Sequence, residues 1–190
     1  TSEVYGSAKF VPMTEEHPLN AQSPYAASKI AADQLALSFY RSFDLPVSII
    51  RPFNTYGPRQ SLRAIIPTII TQHIDKKIKN IKLGNINVSR DFTHISDTVG
   101  GFVSTISAKN IFGEIINLGS GAETKIKNII DLISKITNIK KKIITEKIRV
   151  RNSSSEVKRL CSSNKKAKKL LNWKPIFVTD TKFKEKISET

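Results

Sequence analysis

The stretch from Ser23 to Pro58 constrains this chain most. "SPYAASKIAADQLALSFYRSF" (residues 23–43) has a good N-cap in Ser23, and Pro24 suits the first helical position, where its missing N–H would have no partner anyway. Asp44-Leu45-Pro46 ends that helix. "VSIIRPFNTYGP" (residues 47–58) then opens on apolar, β-branched residues and closes in a Tyr-Gly-Pro turn, the pattern of a buried strand running into a loop. Helix followed directly by strand and turn predicts βαβ construction and a parallel sheet, with any site at the carboxyl ends of its strands.

The rest of the chain continues the alternation. "LRAIIPTIITQHIDKKI" (62–78) is predicted helical, "IKLGN" (81–85) extended, and "SRDFTHI" (89–95) a strand stopped by Ser96-Asp97, which cap a helix over "TVGGFVSTISA" (98–108). "GEIINLGSG" (113–121) is a strand ending in a glycine turn. "KIKNIIDLISKIT" (125–137) carries Ile126, Ile129, Ile130, Ile133 and Ile136 at the spacing of one buried helical stripe. A strand over "KIITEKIRV" (142–150), a polar loop over "RNSSSEVKRL" (151–160) and a basic helix over "NKKAKKLLNW" (164–173) follow, with Trp173 packing that last helix. At the other end, "TSEVYG" (1–6) has the look of a buried strand's end, where polar side chains emerge into a site.

Composition excludes several classes. With 190 residues, 39% of them hydrophobic, the chain can build an ordinary domain core. No apolar run nears the roughly 20 residues that span a bilayer, and no signal-peptide pattern opens the chain, so a cytoplasmic protein without a membrane partner is expected. One cysteine, Cys161, excludes an internal disulfide framework and is expected to be inert; the three histidines show no metal-ligand spacing. His17 and His94 are expected to be structural or solvent-facing. The net charge of +15 lies wholly beyond residue 60, because residues 1–60 hold five basic and five acidic side chains. That excess is mostly lysine mixed with isoleucine and asparagine, without interleaved aromatics, and no nucleic-acid partner is expected.

The chemistry centres on Tyr25 and Lys29, four apart and so on one helical face. An ammonium beside a phenol favours the phenolate and makes a tyrosine a usable general base. Around this pair stand further motifs in order: Thr1-Ser2-Glu3 with Val4-Tyr5-Gly6, "SPYAASK", "RPFNTYGPR", "SRDFTHISD", "INLGSG" and "NKKAKKLLNWKP". Together they resemble the extended short-chain dehydrogenase/reductases of the nucleotide-sugar epimerase, dehydratase and decarboxylase branch, over nearly the whole chain.

The resemblance implies an α/β fold: the C-terminal part of a Rossmann-like doubly wound parallel sheet plus a small α/β substrate-binding domain. Residues 1–60 would form the C-terminal half of the NAD-binding domain. Residues 61–190 would be mainly the nucleotide-sugar domain, with segments around 90–110 returning to the first. It implies NAD as cofactor, a UDP- or GDP-linked hexose or N-acetylhexosamine as substrate, and a homodimer formed through the Tyr25–Lys29 helix, where Ala26, Ala27, Ala31 and Ala32 permit close packing. By the same resemblance Tyr25 takes the proton from the sugar 4-hydroxyl, Lys29 lowers the tyrosine pKa and binds the nicotinamide ribose, Pro52 borders the cofactor, and Thr1 hydrogen-bonds the sugar oxygen. Asn54, Arg59, Arg90, Asn117 and Arg151 are implied substrate contacts, the arginines by their match to phosphate oxygens. No glycine-rich dinucleotide turn occurs in the 190 residues. The chain is therefore expected to be a C-terminal fragment that by itself neither binds NAD usefully nor turns over.

Ser2 and Glu3 bear on which reaction is implied. In the dehydratases the glutamate removes the C5 proton, and many carry aspartate where this chain has Ser2, as the acid for the leaving hydroxyl. Thr-Ser-Glu also occurs in sugar-acid decarboxylases, which need no such acid. The later stretches resemble most the nucleotide-N-acetylglucosamine 4,6-dehydratases of legionaminic-acid type pathways, where Thr-Ser-Glu is normal. A 4,6-dehydratase is expected, with a 4-epimerase or a decarboxylase as the alternatives.

Overall fold

The computed structural model describes residues 1–178 and 185–188. Its main elements, in chain order, are α1 (Pro24–Phe43), β1 (Ile49–Pro52), β2 (Asn54–Tyr56), α2 (Ile65–Ile74), β3 (Asn80–Leu83), β4 (Ser89–Arg90), β5 (Phe92–His94), α3 (Ile95–Ser107), β6 (Ile115–Leu118), β7 (Thr124–Lys125), α4 (Ile126–Thr137), β8 (Lys142–Thr145) and α5 (Lys165–Leu171). Three strand pairs are parallel: β1 with β6, β2 with β5 and β3 with β8. The two-residue pair of β4 and β7 is antiparallel.

The helix that opened the sequence argument forms as expected. Ser23 Oγ accepts from the Ala26 N–H at 3.1 Å, and Asp44 ends α1 in a left-handed conformation with φ 51°. The following strand is broken at Phe53 for a reason of pairing. The Phe53 N–H donates to Leu118 on the β6 side, whereas the next N–H, of Asn54, donates to Asp91 beside β5. Within one residue the backbone passes from one partner strand to another, and Asn54 stands at that divergence.

Several expectations need correction. "TSEVYG" is not the end of a strand: Ser2–Tyr5 form a 3-10 turn, capped by Thr1 Oγ1 accepting from the Glu3 N–H at 3.4 Å. Gly6, at φ 62°, closes that turn where a Cβ would lie 2.6 Å from the Asn20 carbonyl oxygen, so only glycine fits. α3 begins at Ile95, before Ser96 and Asp97; its cap is His94, whose ring nitrogen accepts from the Ser96 N–H. On α4, Ile126, Ile129, Ile130 and Ile133 are buried, but Ile136, in the last turn of the helix, is 42% exposed.

The core has three parts. Tyr56, Phe92, α2, β3 and α4 enclose the largest, which includes Ile187. Val4, Tyr5, Met13, Phe53, Val157 and Leu160 form a second beneath the Thr1–Tyr5 turn. Ile116 and Leu118 of β6 pack with Ala167, Leu171 and Trp173 in the third. Trp173 is indeed a packing residue, and its indole N–H donates to the Asp97 carbonyl oxygen at 3.0 Å. Gly101 of α3 lies so close to Leu118 that a Cβ would overlap it, which lets the helix sit down on β6. No helix among the described residues is long and apolar enough to cross a membrane.

Candidate active site

α1 carries Tyr25 and Lys29 on its exposed face, one turn apart, with Lys29 Nζ 5.6 Å from the centre of the Tyr25 ring. The Ser23 cap sets where that helix begins, so the cap also sets where Tyr25 stands. Glu3, held by the 3-10 turn, lines a hollow of about 610 Å³ together with Tyr25, Gln22 and Arg151. Glu3 and Arg151 also line a cleft of about 340 Å³ with Asn54, Gln60, Arg63, Arg90, Arg149 and Glu156. The two hollows thus adjoin through Glu3 and Arg151.

The cleft is strongly cationic. Arg90 is buried, with Nη1 donating to the Ser89 carbonyl oxygen at 2.9 Å and Nη2 3.8 Å from Glu156 Oε1. Burial pulls its pKa down, and the carboxylates of Glu3 and Glu156 pull it back up. Two buried amide oxygens at the cleft, Asn54 Oδ1 and Gln60 Oε1, have no hydrogen-bond partner among the described residues. Four guanidinium groups outnumber the carboxylates of Glu3 and Glu156 in this lining, and the two acceptors without donors can take hydrogen bonds from hydroxyl groups.

The structure therefore brings Glu3, Tyr25, Asn54, Arg90 and Arg151 to the two adjoining hollows, with Lys29 beside Tyr25 and Thr1 holding the Glu3 N–H. Other residues singled out in the sequence lie apart. Ser2 is buried under the turn. Arg59 is exposed at φ 65°, outside the cleft lining. Pro52 ends β1, half-buried, and lines neither hollow. Asn117 is fully buried on β6, where its Oδ1 accepts from the Tyr5 hydroxyl and its Nδ2 donates to the Met13 carbonyl oxygen, so its amide is committed inside the protein. His17 is buried and accepts from the Lys9 N–H at 2.9 Å. Cys161 is half-buried, and burial pushes its thiol up to about 11, which leaves it protonated and inert at neutral pH.

Sequence reasoning missed Gln60, Arg63, Arg149 and Glu156. The strand expected over 142–150 ends at Thr145, and Arg149 closes a 3-10 turn over Lys147–Arg149, so strand alternation could not have placed it in the cleft. Nothing local marks Arg63 or Glu156. Asp91 was missed as well, although an acid between two strand segments is itself a sign of a buried partner set. Its carboxylate accepts from the Ser120, Gly121 and Ser162 N–H groups at 2.6, 3.0 and 2.9 Å. That carboxylate ties the β4–β5 junction to the turn after β6 and to the chain before α5. Among the described residues no group of three histidine, cysteine, aspartate or glutamate side chains could hold a metal ion.

Residues 1–190 match the family model described as GDP-mannose 4,6 dehydratase over their whole length. This chain belongs to that family. The dTDP-glucose 4,6-dehydratase of Streptomyces griseus is 37% identical over 133 residues, covering 70% of this chain and 40% of that protein. A crystal structure of dTDP-glucose 4,6-dehydratase from Bacillus anthracis in complex with NAD superposes with a TM-score of 0.87 at 29% identity, over 99% of this chain and 58% of that one. UDP-glucuronic acid 4-epimerase from Bacillus cereus, in complex with UDP-glucuronic acid and NAD, superposes with a TM-score of 0.88 at 28% identity, over 100% and 57%. The family members thus include nucleotide-sugar dehydratases and epimerases, and the Rossmann-like α/β class expected from the sequence is the one found. This chain spans less than two thirds of the length of each of these relatives.

Proposed function

We propose that this chain carries the substrate-binding and proton-transfer residues of an NAD-dependent nucleotide-sugar 4,6-dehydratase. The observation that carries the reading is Glu3, which lines both the hollow of Tyr25 and the arginine-rich cleft. A nucleotide sugar is a diphosphate joined to a hexose, and these adjoining hollows suit its two halves: guanidinium groups for the phosphates, a phenol and a carboxylate for the sugar.

The exposed Tyr25–Lys29 face is compatible with the nicotinamide-ribose end of NAD. When bound, NAD supplies the acceptor and later the donor of a hydride. Tyr25 takes the proton from the sugar O4, with Thr1 hydrogen-bonded to the same oxygen. The C4 ketone makes the C5 hydrogen acidic, and Glu3 removes it. The protonated Glu3 then gives that proton to the departing C6 hydroxyl, and water leaves as a C5–C6 double bond forms, which takes the hydride at C6 and a proton at C5. This double use of Glu3 suits a chain in which Ser2, a poor acid at neutral pH, is buried rather than aimed into the hollow.

A 4-epimerase is the second reading. The likeness to the Bacillus cereus 4-epimerase favours it; in that reaction Tyr25 would take the O4 proton and give it back to O4 once the hydride has returned to the opposite face of C4. A UDP-hexuronate decarboxylase, which needs no leaving-group acid, is the third. The full-length protein supplied with UDP- and GDP-hexoses and N-acetylhexosamines is expected to yield a 4-keto-6-deoxy product, identified by mass loss of water. C4 inversion without loss of water would instead support the epimerase. Release of carbon dioxide from a UDP-hexuronate alone would support the decarboxylase, and either result would displace the dehydratase.

A further inference from the structure

The proposed chemistry uses Thr1, Glu3, Tyr25 and Lys29, which sit on two separate pieces of chain. Beneath them runs a buried polar chain that joins those pieces. Arg51, on β1, is 1% exposed. Its Nε donates to Asp33 Oδ2 on α1 at 2.9 Å, and its Nη1 donates to the Tyr5 hydroxyl at 2.9 Å. The Tyr5 hydroxyl donates in turn to Asn117 Oδ1 on β6 at 2.7 Å. Arg51 and Asn117 are register partners across β1 and β6, so they project to the same side and Tyr5 bridges them. The guanidinium carbon also lies 4.9 Å from the centre of the Tyr5 ring.

The placement of these residues matters more than their number. Asp33 lies one helical turn beyond Lys29 and two beyond Tyr25, on the same helix. Tyr5 lies two residues beyond Glu3, in the same 3-10 turn. Within these 190 residues α1 buries Ala26 and Leu37, and the Arg51–Asp33 contact is a directed polar link from the helix to β1. A guanidinium with two directed donors fixes distance and angle in a way that a greasy contact does not. Burial raises the Tyr5 pKa, which keeps the phenol in the protonated form that accepts from Arg51 and donates to Asn117 at once. A buried ion pair costs desolvation and is a poor way to gain stability alone, whereas it specifies one arrangement well.

We propose that Arg51, with Asp33 and Tyr5, is a positioning residue that holds the Glu3 turn in register with the Tyr25–Lys29 face of α1. This role rests on the functional reading above. Tyr5→Phe removes one link and Asp33→Asn takes the charge out of the other, each keeping the shape of the side chain. Steady-state kinetics of the full-length variants, on the nucleotide sugar that the wild type converts, are expected to show kcat lowered about 10- to 100-fold with KM held within about threefold. Asp33→Glu, which keeps the charge, is expected to recover part of the loss. Ser134→Ala serves as a stability control, because it removes the hydroxyl partner of His73 between α2 and α4, far from these residues in the fold. It is expected to lower the melting temperature and keep kcat. Retention of wild-type kcat by both Tyr5→Phe and Asp33→Asn would overturn the positioning role and leave the functional reading intact. So would a kcat loss equal to that of Ser134→Ala at matched loss of melting temperature. A wild-type protein that converts no nucleotide sugar would remove the functional reading, and this role with it.

Discussion

Asp91 shows how much one side chain can organise. Fully buried, it receives three backbone N–H groups and the Ser120 hydroxyl, joining three segments distant in sequence. Burial raises its pKa, and these donors oppose the rise by favouring the carboxylate. Asp91→Asn puts an NH₂ where an acceptor is needed, so at least one N–H loses its partner and another faces a donor. Urea unfolding is expected to show a loss of about 2–4 kcal/mol, within the range for breaking a buried charged hydrogen-bond set. Arg90, its neighbour in sequence, points the other way, into the cleft. The sequence marked Arg90 through a resemblance and passed over Asp91, because a motif names the residue that touches a ligand more readily than the one that holds the motif in place.

At the scale of elements, the pair α2 and α4 contains a pH-sensitive joint. His73 is fully buried on α2; its Nδ1–H donates to the Ile69 carbonyl oxygen, which leaves Nε2 to accept from the Ser134 hydroxyl at 2.9 Å on α4. Burial lowers the His73 pKa, with Lys141 adding to the effect. The unfolded chain, with the ordinary histidine value of about 6.5, binds this proton more readily than the folded one. The stability tied to neutral His73 is therefore complete above about pH 6.5 and is lost as the pH falls below it. Thermal melts from pH 7.5 to 5 are expected to show a steeper loss for the wild type than for His73→Gln, which has no group to titrate there. A slope unchanged by that substitution would count against the joint. The amphipathic spacing of α4 was legible in its isoleucines, and so was the helical character of α2. That His73 would meet Ser134, 61 positions on, was not, because the contact depends on how two helices cross.

At the scale of the whole molecule, two apolar faces stand out. Val99, Phe102, Val103 and Ile106 are exposed along α3, and Leu35, Phe39 and Phe43 along α1. Exposed stripes of this kind drive association in water. The 190-residue chain alone is expected to elute from size exclusion above its monomer mass of 21.2 kDa and to bind a hydrophobic dye, with Ile106→Lys and Phe43→Lys each reducing both. Monomeric elution without dye binding would refute this. The sequence by itself determined the alternation of helix and strand, the Ser23 cap, the Tyr25–Lys29 pair and the family, because these depend on periodicity, capping chemistry and motif order, all of them local. It misjudged the Thr1–Tyr5 turn and the cap of α3, where a side-chain cap outweighs local preference, and the end of the α4 stripe, where the last turn of the helix stays exposed. Only the tertiary structure decided that Asn117 is spent inside the protein, that Arg63, Arg149 and Glu156 join the cleft, and that Arg51 links α1 to the Glu3 turn. Each of those is set by which distant segments pack together, and burial and hydrogen-bond partners exist only once they have done so.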